Sequence, residues 1–197
     1  MIHLPTIPHD LTWQVEPRSA KVDGARLHIT AGEKTDLFTD PGGALIIANS
    51  PRLMFVHDSD FVLSAKVGVA FAATYDAGVL VVYADATHWA KLCFEYSPQS
   101  KPMVVSVVTK GASDDCNSTV IDGREVYLRV AGIGRAFAFH YSTDGRWWHM
   151  VRYFNLGDAS DAMVGFSSQS PTGASCEATF DDIRFEPRTL RELRNGE

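Results

Sequence analysis

Hydrophobic and polar positions alternate with a period of two along residues 88–96, HWAKLCFEY. One row is apolar and consists of Ala90, Leu92, Phe94 and Tyr96. The other row carries an indole, an ammonium, a thiol and a carboxylate, on Trp89, Lys91, Cys93 and Glu95. Because successive side chains of a β-strand leave opposite faces of its sheet, the segment predicts a strand that buries the apolar row and turns the second row outward.

Similar short segments fill most of the chain, and turn-forming residues separate them. Residues 21–30, KVDGARLHIT, predict a hairpin, because Asp23-Gly24 is a two-residue turn that favours positive φ. The acidic pairs at 114–115 and 181–182 are predicted to lie in turns. The spacing of roughly 10 to 15 residues per strand, without a long helical period, is typical of two antiparallel sheets in a jelly-roll sandwich. Further strands are predicted at 44–47, 52–56, 60–71, 77–85, 88–96, 103–110, 124–132, 135–142, 147–154, 162–169 and 178–187.

The bulk properties favour one globular domain and disfavour some partners. The 197 residues suit a single domain over 1–197 with a short tail at 187–197, and 45% hydrophobic residues support a sizeable core. The formal net charge of −6, without any run of Lys and Arg, argues against nucleic acid or an anionic membrane as a partner. The sequence leaves the oligomeric state open.

The N-terminal sequence and the cysteines indicate the cellular compartment of the protein. The N-terminal MIHLPTIPHDLTW lacks the basic region and apolar stretch of a secretion signal, and no apolar run is long enough to span a bilayer. Cys93, Cys116 and Cys176 are odd in number and show no CxxC spacing, which is typical of free thiols in a reducing compartment. We therefore expect a cytoplasmic protein.

Polar side chains of neighbouring strands match the outer row of residues 88–96. Alternation turns Arg129 outward in EVYLRV, His140 in RAFAFHYS and Arg152 in HMVRYF. In MVVSVVTK either Ser106 or Thr109 faces away from the core, and the pattern leaves both assignments open. The predicted ligand-binding face consists of Trp89, Lys91, Glu95, Arg129, His140 and Arg152.

These residue types suit a small polar ligand. An indole stacks on the apolar face of a sugar ring, so Trp89 is the predicted platform, while charged side chains hydrogen-bond hydroxyls or a carboxylate. Lys91 would donate such bonds, as would Arg129 and Arg152, and Glu95 would accept them. The alternative is a solvated sheet face with cross-strand ion pairs, each contributing about 0.2–1 kcal/mol.

Catalysis has little support in the sequence. The carboxylate pairs of sandwich glycosidases, spaced Glu-x-Asp-x-Glu, are absent, and Glu95 is the only candidate, as a base that Lys91 keeps ionised. A contact of Cys93 with His140 across the sheet would activate the thiol, although cysteines on strands are usually inert. No zinc spacing and no phosphate-binding glycine loop occur, so we predict neither a metal nor a cofactor.

Four stretches, at 75–96, 104–115, 141–154 and 164–185, resemble one known family. They carry Asp76-Ala77-Gly78, then Asp85 ahead of Trp89-x-Lys91, then Ser113-Asp114, then Tyr-Ser-x-Asp-Gly-x-x-Trp-x-x-x-Arg at 141–152. From about Trp13 to Phe185 the chain resembles an uncharacterised concanavalin A-like family, a domain of unknown function that includes the regulation-of-enolase proteins of fungi.

The resemblance implies a jelly roll of the lectin/glucanase type and does not define an activity. Relatives commonly carry an aromatic residue after Ser-Asp, where this chain has Asp115. If that aromatic residue belongs to a ligand-binding surface, the surface has one ring fewer in this chain. We predict a non-catalytic domain that binds a carbohydrate or a small polar or anionic ligand. The alternatives are an intracellular regulatory domain that contacts a protein such as a glycolytic enzyme, and a sugar-active enzyme with Glu95 as base.

Overall fold

The computed structural model describes residues 1–157 and 161–197, which form strands and turns and contain no helix. Those residues accordingly include no helix that could cross a membrane. The strands are β1 Thr12–Val15, β2 Ser19–Asp23, β3 Arg26–Ala31, β4 Leu37–Thr39, β5 Ile46–Ala48, β6 Arg52–Phe55, β7 Phe61–Val69, β8 Ala77–Asp85, β9 His88–Tyr96, β10 Pro102–Lys110, β11 Ala112–Val120, β12 Glu125–Ile133, β13 Ala136–Ser142, β14 His149–Asn155, β15 Met163–Gln169 and β16 Cys176–Glu186.

Two antiparallel seven-stranded sheets form a sandwich, which confirms the predicted all-β fold. The first sheet has the order β1-β6-β15-β8-β9-β10-β11, and the second has the order β14-β13-β12-β7-β16-β3-β2. Apolar side chains from the inner faces of both sheets make one continuous core. The short hairpin of β4 and β5 is a separate two-stranded sheet that packs on the outer face of the first sheet.

Strand β9 lies between β8 and β10, and its two faces are assigned correctly by the alternation. Ala90, Leu92 and Phe94 lie in the core between the sheets, whereas Trp89 and Cys93 belong to a second apolar cluster on the outer face. In β10 the core receives Val104 and Val108, so Thr109 rather than Ser106 lies on the outer row. The first sheet is therefore buried over part of both faces.

The two acidic pairs do not lie in turns. Asp114 and Asp115 belong to β11, the edge strand of the first sheet, and Asp182 lies at a register irregularity in β16 with a φ of 46°. Strand β11 is mostly polar because it pairs on one side only and is largely exposed, so it lacks an apolar alternation that would reveal it. The hairpin of β2 and β3 is present as predicted, with Gly24 at a φ of 62° in its turn.

Candidate functional site

A cavity of about 550 Å³ opens on the outer face of the first sheet. Side chains of β9, β10 and β11 form its floor. The hairpin of β4 and β5 and the loops before β8, after β9 and after β15 form its walls. The lining residues are Asp36, Phe38, Leu45, Ile47, Tyr75, Lys91, Glu95, Ser97, Pro98, Gln99, Met103, Val105, Val107, Asp115, Asn117, Gln169, Pro171 and Thr172.

The hairpin of β4 and β5 supplies an apolar wall. Its Thr39 backbone N–H donates to Ser113 Oγ at 3.0 Å, and Leu37 is buried in the outer-face cluster. Phe38 and Ile47 are cross-strand partners, and both line the cavity. Arg52 Nη1 of β6 also donates to Ala48 O of β5 at 3.2 Å. The wall is therefore held against the sheet by hydrogen bonds to β11 and β6 and by a buried leucine.

Lys91 lies in the floor within a buried polar network. Its Nζ donates to Asp36 Oδ1 at 2.9 Å and to Gln169 Oε1 at 3.0 Å. Burial alone would lower the pKa of Lys91, but the charge of Asp36 and its other acidic neighbours outweighs burial, and the pKa is raised. Lys91 therefore stays protonated, and Asp36 neutralises its charge.

Two carboxylates of the cavity, on Glu95 and Asp115, have no hydrogen-bond partner for their side chains among the described residues. Burial raises the pKa of Glu95 to about 7, against the attraction of Lys91. Burial also raises the pKa of Asp115, with a further contribution from Asp36. The expectation that Lys91 keeps Glu95 fully ionised holds only above about pH 7, because desolvation outweighs the attraction of an ammonium that Asp36 already neutralises.

Tyr75 lines the cavity in a strained backbone conformation. Its φ of 70° is in the left-handed region, which bulky residues rarely adopt. The Tyr75 N–H donates to Tyr96 O at 2.7 Å, and the Tyr75 carbonyl accepts from Gln169 Nε2 at 3.4 Å. The residue remains 40% exposed. Because strained residues concentrate at ligand sites, Tyr75 is a candidate stacking surface.

The neighbouring Asp76 is fully buried and joins two walls of the cavity. Its carboxylate accepts from the backbone N–H groups of Ala72 at 2.9 Å and Ala73 at 2.8 Å. It also accepts from Ser170 Oγ at 2.7 Å, directly before the lining residues 171–172. One carboxylate thus fixes the loop that carries the strained tyrosine relative to the loop after β15.

Trp89 is not a stacking platform, although it lies on the predicted face. It is only 1% exposed and belongs to the apolar cluster that contains Leu37 of the hairpin. The alternation of a strand identifies the face of a side chain and carries no information about a distant hairpin that covers it. The prediction of Trp89 as the ligand platform is therefore wrong.

Arg129 and His140 lie on the opposite side of the sandwich from the cavity. They are paired neighbours in β12 and β13 of the second sheet, on its outer face, where residues 187–197 cover them. Burial lowers the pKa of His140 to about 4, and its Nε2 donates to Leu193 O at 2.8 Å. The prediction that both share a face with Lys91 is wrong, because the chain crosses to the other sheet between β11 and β12.

Arg152 lies at an edge where the two sheets approach each other. Its guanidinium donates to the Asp114 carbonyl at 3.1 Å and to Asp114 Oδ1 at 3.2 Å, so it joins β14 to β11. A register shift between Phe139 and His140 pairs Arg152 with Phe139, whose side chain faces the core. The predicted outward orientation is wrong, because a bulge changes the period-2 phase.

The thiol–imidazole contact considered from the sequence does not form, and the preferred interpretation of Cys93 as a packing residue agrees with its burial. Cys93 is buried on the first sheet and His140 is on the second, and burial raises the pKa of Cys93 well above its usual range. The thiol is therefore inert. In the part of the chain that the structure describes, no three His, Cys, Asp or Glu side chains are grouped to hold a metal ion.

Glu95 and Asp115 come from different strands of the floor. Glu95 pairs with Met103, and Asp115 pairs with Val107, so the acids lie two strands apart and four residues out of register. At about 4.8 Å per strand and about 3.3 Å per residue, their Cα atoms are roughly 16 Å apart. The charge of Asp115 still contributes to the raised pKa of Glu95, so the two carboxyl groups lie closer together than their Cα atoms.

Most lining residues do not follow from the alternation of β9, and Phe38, Tyr75, Asp115 and Asn117 are among them. Ser113, Asp115 and Asn117 share one face of β11, and this polar period-2 pattern is a signal that could have identified the strand. Tyr75 directly precedes Asp76-Ala77-Gly78, but its strained φ has no signature in residue type.

Comparisons with known proteins agree with this fold. A family model described as a protein of unknown function, DUF1349, matches residues 13–188. Regulation of enolase protein 1 of Saccharomyces cerevisiae is 26% identical over 174 residues, which cover 87% of this chain and 86% of that protein.

Solved structures are also similar to this chain. A crystal structure of a functionally unknown protein from Saccharomyces cerevisiae has a TM-score of 0.83 at 23% identity and covers 90% of this chain and 96% of that chain. The GH43 protein BlXynB of Bacillus licheniformis has a TM-score of 0.73 at 18% identity over 89% of this chain, but the match covers only 37% of BlXynB. At these identities the likenesses show the fold alone.

Proposed function

Because this chain belongs to the DUF1349 family of proteins of unknown function, we propose its function from its own cavity: it binds a neutral carbohydrate on the outer face of the first sheet and does not convert it. The observation that carries the proposal is a pair of carboxylates, on Glu95 and Asp115, that have no hydrogen-bond partner among the described residues and lie in a cavity that Tyr75 also lines. Such carboxylates accept bonds from sugar hydroxyls, while an aromatic ring packs on the apolar face of a sugar.

The charge of the cavity favours a neutral ligand over an anion. The charged residues that line it are three acids, Asp36, Glu95 and Asp115, and one base, Lys91, in the described part of the chain. Asp36 already neutralises Lys91 at 2.9 Å, so an anionic ligand would face two further acids without a free cation. The anionic ligand considered from the sequence is therefore not part of the proposal.

The size of the cavity is also suitable. Its volume of about 550 Å³ lies within the range of about 300–1,000 Å³ for small-molecule sites. An apolar wall with Phe38 and Ile47 stands beside a floor that combines the polar side chains of β9 and β11 with apolar side chains of β10, and such a mixture suits a sugar with one apolar face. The absence of a Glu-x-Asp-x-Glu pattern from the sequence supports binding without hydrolysis.

Thermal unfolding against a panel of neutral sugars tests the proposal. The panel contains glucose, galactose, arabinose, xylose and xylo-oligosaccharides, the last two because similar solved structures include a xylan β-1,4-xylosidase. At a hundredfold excess over Kd, a ligand stabilises the folded state by about 2.7 kcal/mol. For a chain of this size the Tm should rise by several degrees, at roughly 2–4 °C per kcal/mol.

Matched variants assign the effect to the cavity. Asp115→Asn and Tyr75→Gly should each weaken binding about tenfold or more. Tyr153→Ala, which removes a 54% exposed aromatic ring of β14 outside the cavity, should leave it unchanged. A Tm rise that survives in both cavity variants would contradict the proposal, as would the absence of any rise.

A regulatory contact with another protein is the second candidate, and the name of the yeast relative, Regulation of enolase protein 1, favours it. In this chain the exposed Leu45 and Ile46 at the hairpin tip would be part of such a contact. Binding of purified enolase to the wild-type chain, and its loss in a Leu45→Ser, Ile46→Ser double variant, would support this candidate over the carbohydrate site.

A further inference from the structure

A second, smaller cavity lies on the outer face of the second sheet, beside Arg129. It has a volume of about 70 Å³, enough for about two water molecules at their liquid volume of about 30 Å³. Arg129 is 2% exposed, and its guanidinium stacks on the Trp148 ring with Cζ 4.1 Å from the ring centroid. The cavity is lined by Val62, Ser64, Tyr127, Arg129, Gly145, Trp148, Asp182, Arg184, Glu186 and Arg188.

The guanidinium of Arg129 is only partly satisfied. Nη1 donates to Gly196 O at 2.8 Å, but Nε and Nη2 are buried and have no partner in the residues that the structure describes. Gly196 packs against the end of the guanidinium so closely that a Cβ there would strike Nη2. The side edge formed by Nε and Nη2 is therefore the part of the group that remains unsatisfied.

In another arginine of this cavity wall, the corresponding Nε–Nη2 edge binds a carboxylate. Arg184 donates from Nε to Asp182 Oδ1 and from Nη2 to Asp182 Oδ2, both at 3.0 Å. This is the two-bond geometry in which arginine recognises carboxylates. Arg129 presents the same pair of atoms without an acid opposite them.

The charges around the cavity leave one cation unbalanced. Asp182 is paired with Arg184, and Glu186 is paired with Arg188 at 2.8 Å. Arg129 makes no ion pair with a described residue, and burial, followed by the charge of Arg188, lowers its pKa to about 10. A buried, unpaired charge is costly, and a bound anion of single charge would relieve that cost.

We propose that this cavity is a binding site for a small monocarboxylate, held by two parallel hydrogen bonds from Nε and Nη2 of Arg129. Trp148 fixes the plane of the guanidinium, and residues 187–197 close the site from outside. The site is separate from the carbohydrate cavity, because the two open on opposite faces of the sandwich.

Thermal unfolding in sodium formate, with sodium chloride added to constant ionic strength, tests the proposal on the full chain. The wild type should show a saturable rise in Tm with formate and acetate, whereas benzoate, which exceeds the cavity, should have no such effect. This size series needs no variant, so it remains decisive where a substitution at Arg129 prevents folding. No saturable rise with formate would overturn the proposal and leave the cavity to water.

Variants then assign the site. Arg129→Lys keeps the positive charge but loses the two-bond edge, so formate should bind at least about tenfold more weakly. Tyr75→Gly, in the carbohydrate cavity on the opposite face, is the control and should retain formate binding. Formate binding that is unchanged in Arg129→Lys would overturn the proposal without affecting the carbohydrate site.

Discussion

At the scale of single residues, Tyr75 combines a strained backbone with a ring in the cavity, and the two properties can be separated. With a φ of 70°, Tyr75→Gly relieves the strain while Tyr75→Ala retains it. Both variants should lose sugar binding, but Tyr75→Gly should be more stable than Tyr75→Ala by about 1 kcal/mol. Urea unfolding measures the difference, and equal stabilities would show that the backbone at this position is not strained.

Glu95 makes the stability of the protein depend on pH. Burial raises its pKa from the ordinary 4.5 to about 7. Between these values the unfolded chain has released a proton that the folded chain retains, so stability should fall as the pH rises through this window. The pKa of Asp115 is also raised, so its titration likewise lowers the stability as the pH rises. This decrease begins at a lower pH, because the ordinary pKa of an aspartate is 3.8.

The variant Glu95→Gln should therefore be more stable than the wild type above pH 7, by roughly 1–3 kcal/mol, with a smaller difference at pH 5. Urea unfolding at pH 5, 6, 7 and 8 measures the effect. Glu16→Gln, an exposed glutamate outside the cavity, is the control. A stability difference between Glu95→Gln and the wild type that does not change with pH would contradict this account.

At the scale of elements, the hairpin of β4 and β5 determines whether the cavity has a wall. Leu37 is its buried contact with the sheet, so Leu37→Ala should cost about 2–4 kcal/mol and weaken sugar binding. Ile46→Ala removes a residue that is 76% exposed on the same hairpin and should change stability by less than about 0.5 kcal/mol. If Leu37→Ala left both stability and affinity unchanged, the hairpin would not be the wall described.

The elements also show what the sequence can predict. The faces of β9 follow from alternation because one face packs in the core, and Lys91 and Glu95 follow with them. The assignment of strands to sheets does not follow, since alternation is the same in either sheet, and this placed Arg129 wrongly. The polar edge strand β11, which carries Asp115, buries too little to leave an apolar pattern.

At the scale of the whole molecule, the sandwich keeps two different sites on its two outer faces. Residues 187–197 cover only the second sheet, through Leu190 and the bonds to Arg129 and His140. Their removal should lower the free energy of unfolding by about 2–4 kcal/mol and abolish formate binding. Sugar affinity should be unchanged, and a parallel loss of sugar binding, measured by calorimetry on the folded fraction, would show that the two faces are not independent.

A titration of the isotope-labelled protein with the neutral sugar panel, monitored through its backbone amide shifts, is the most direct test of the carbohydrate site. Saturable shifts are expected around Tyr75, Glu95 and Asp115, with the second sheet unchanged. Shifts confined to the second sheet, or no saturable shift with any sugar, would contradict a carbohydrate site in this cavity.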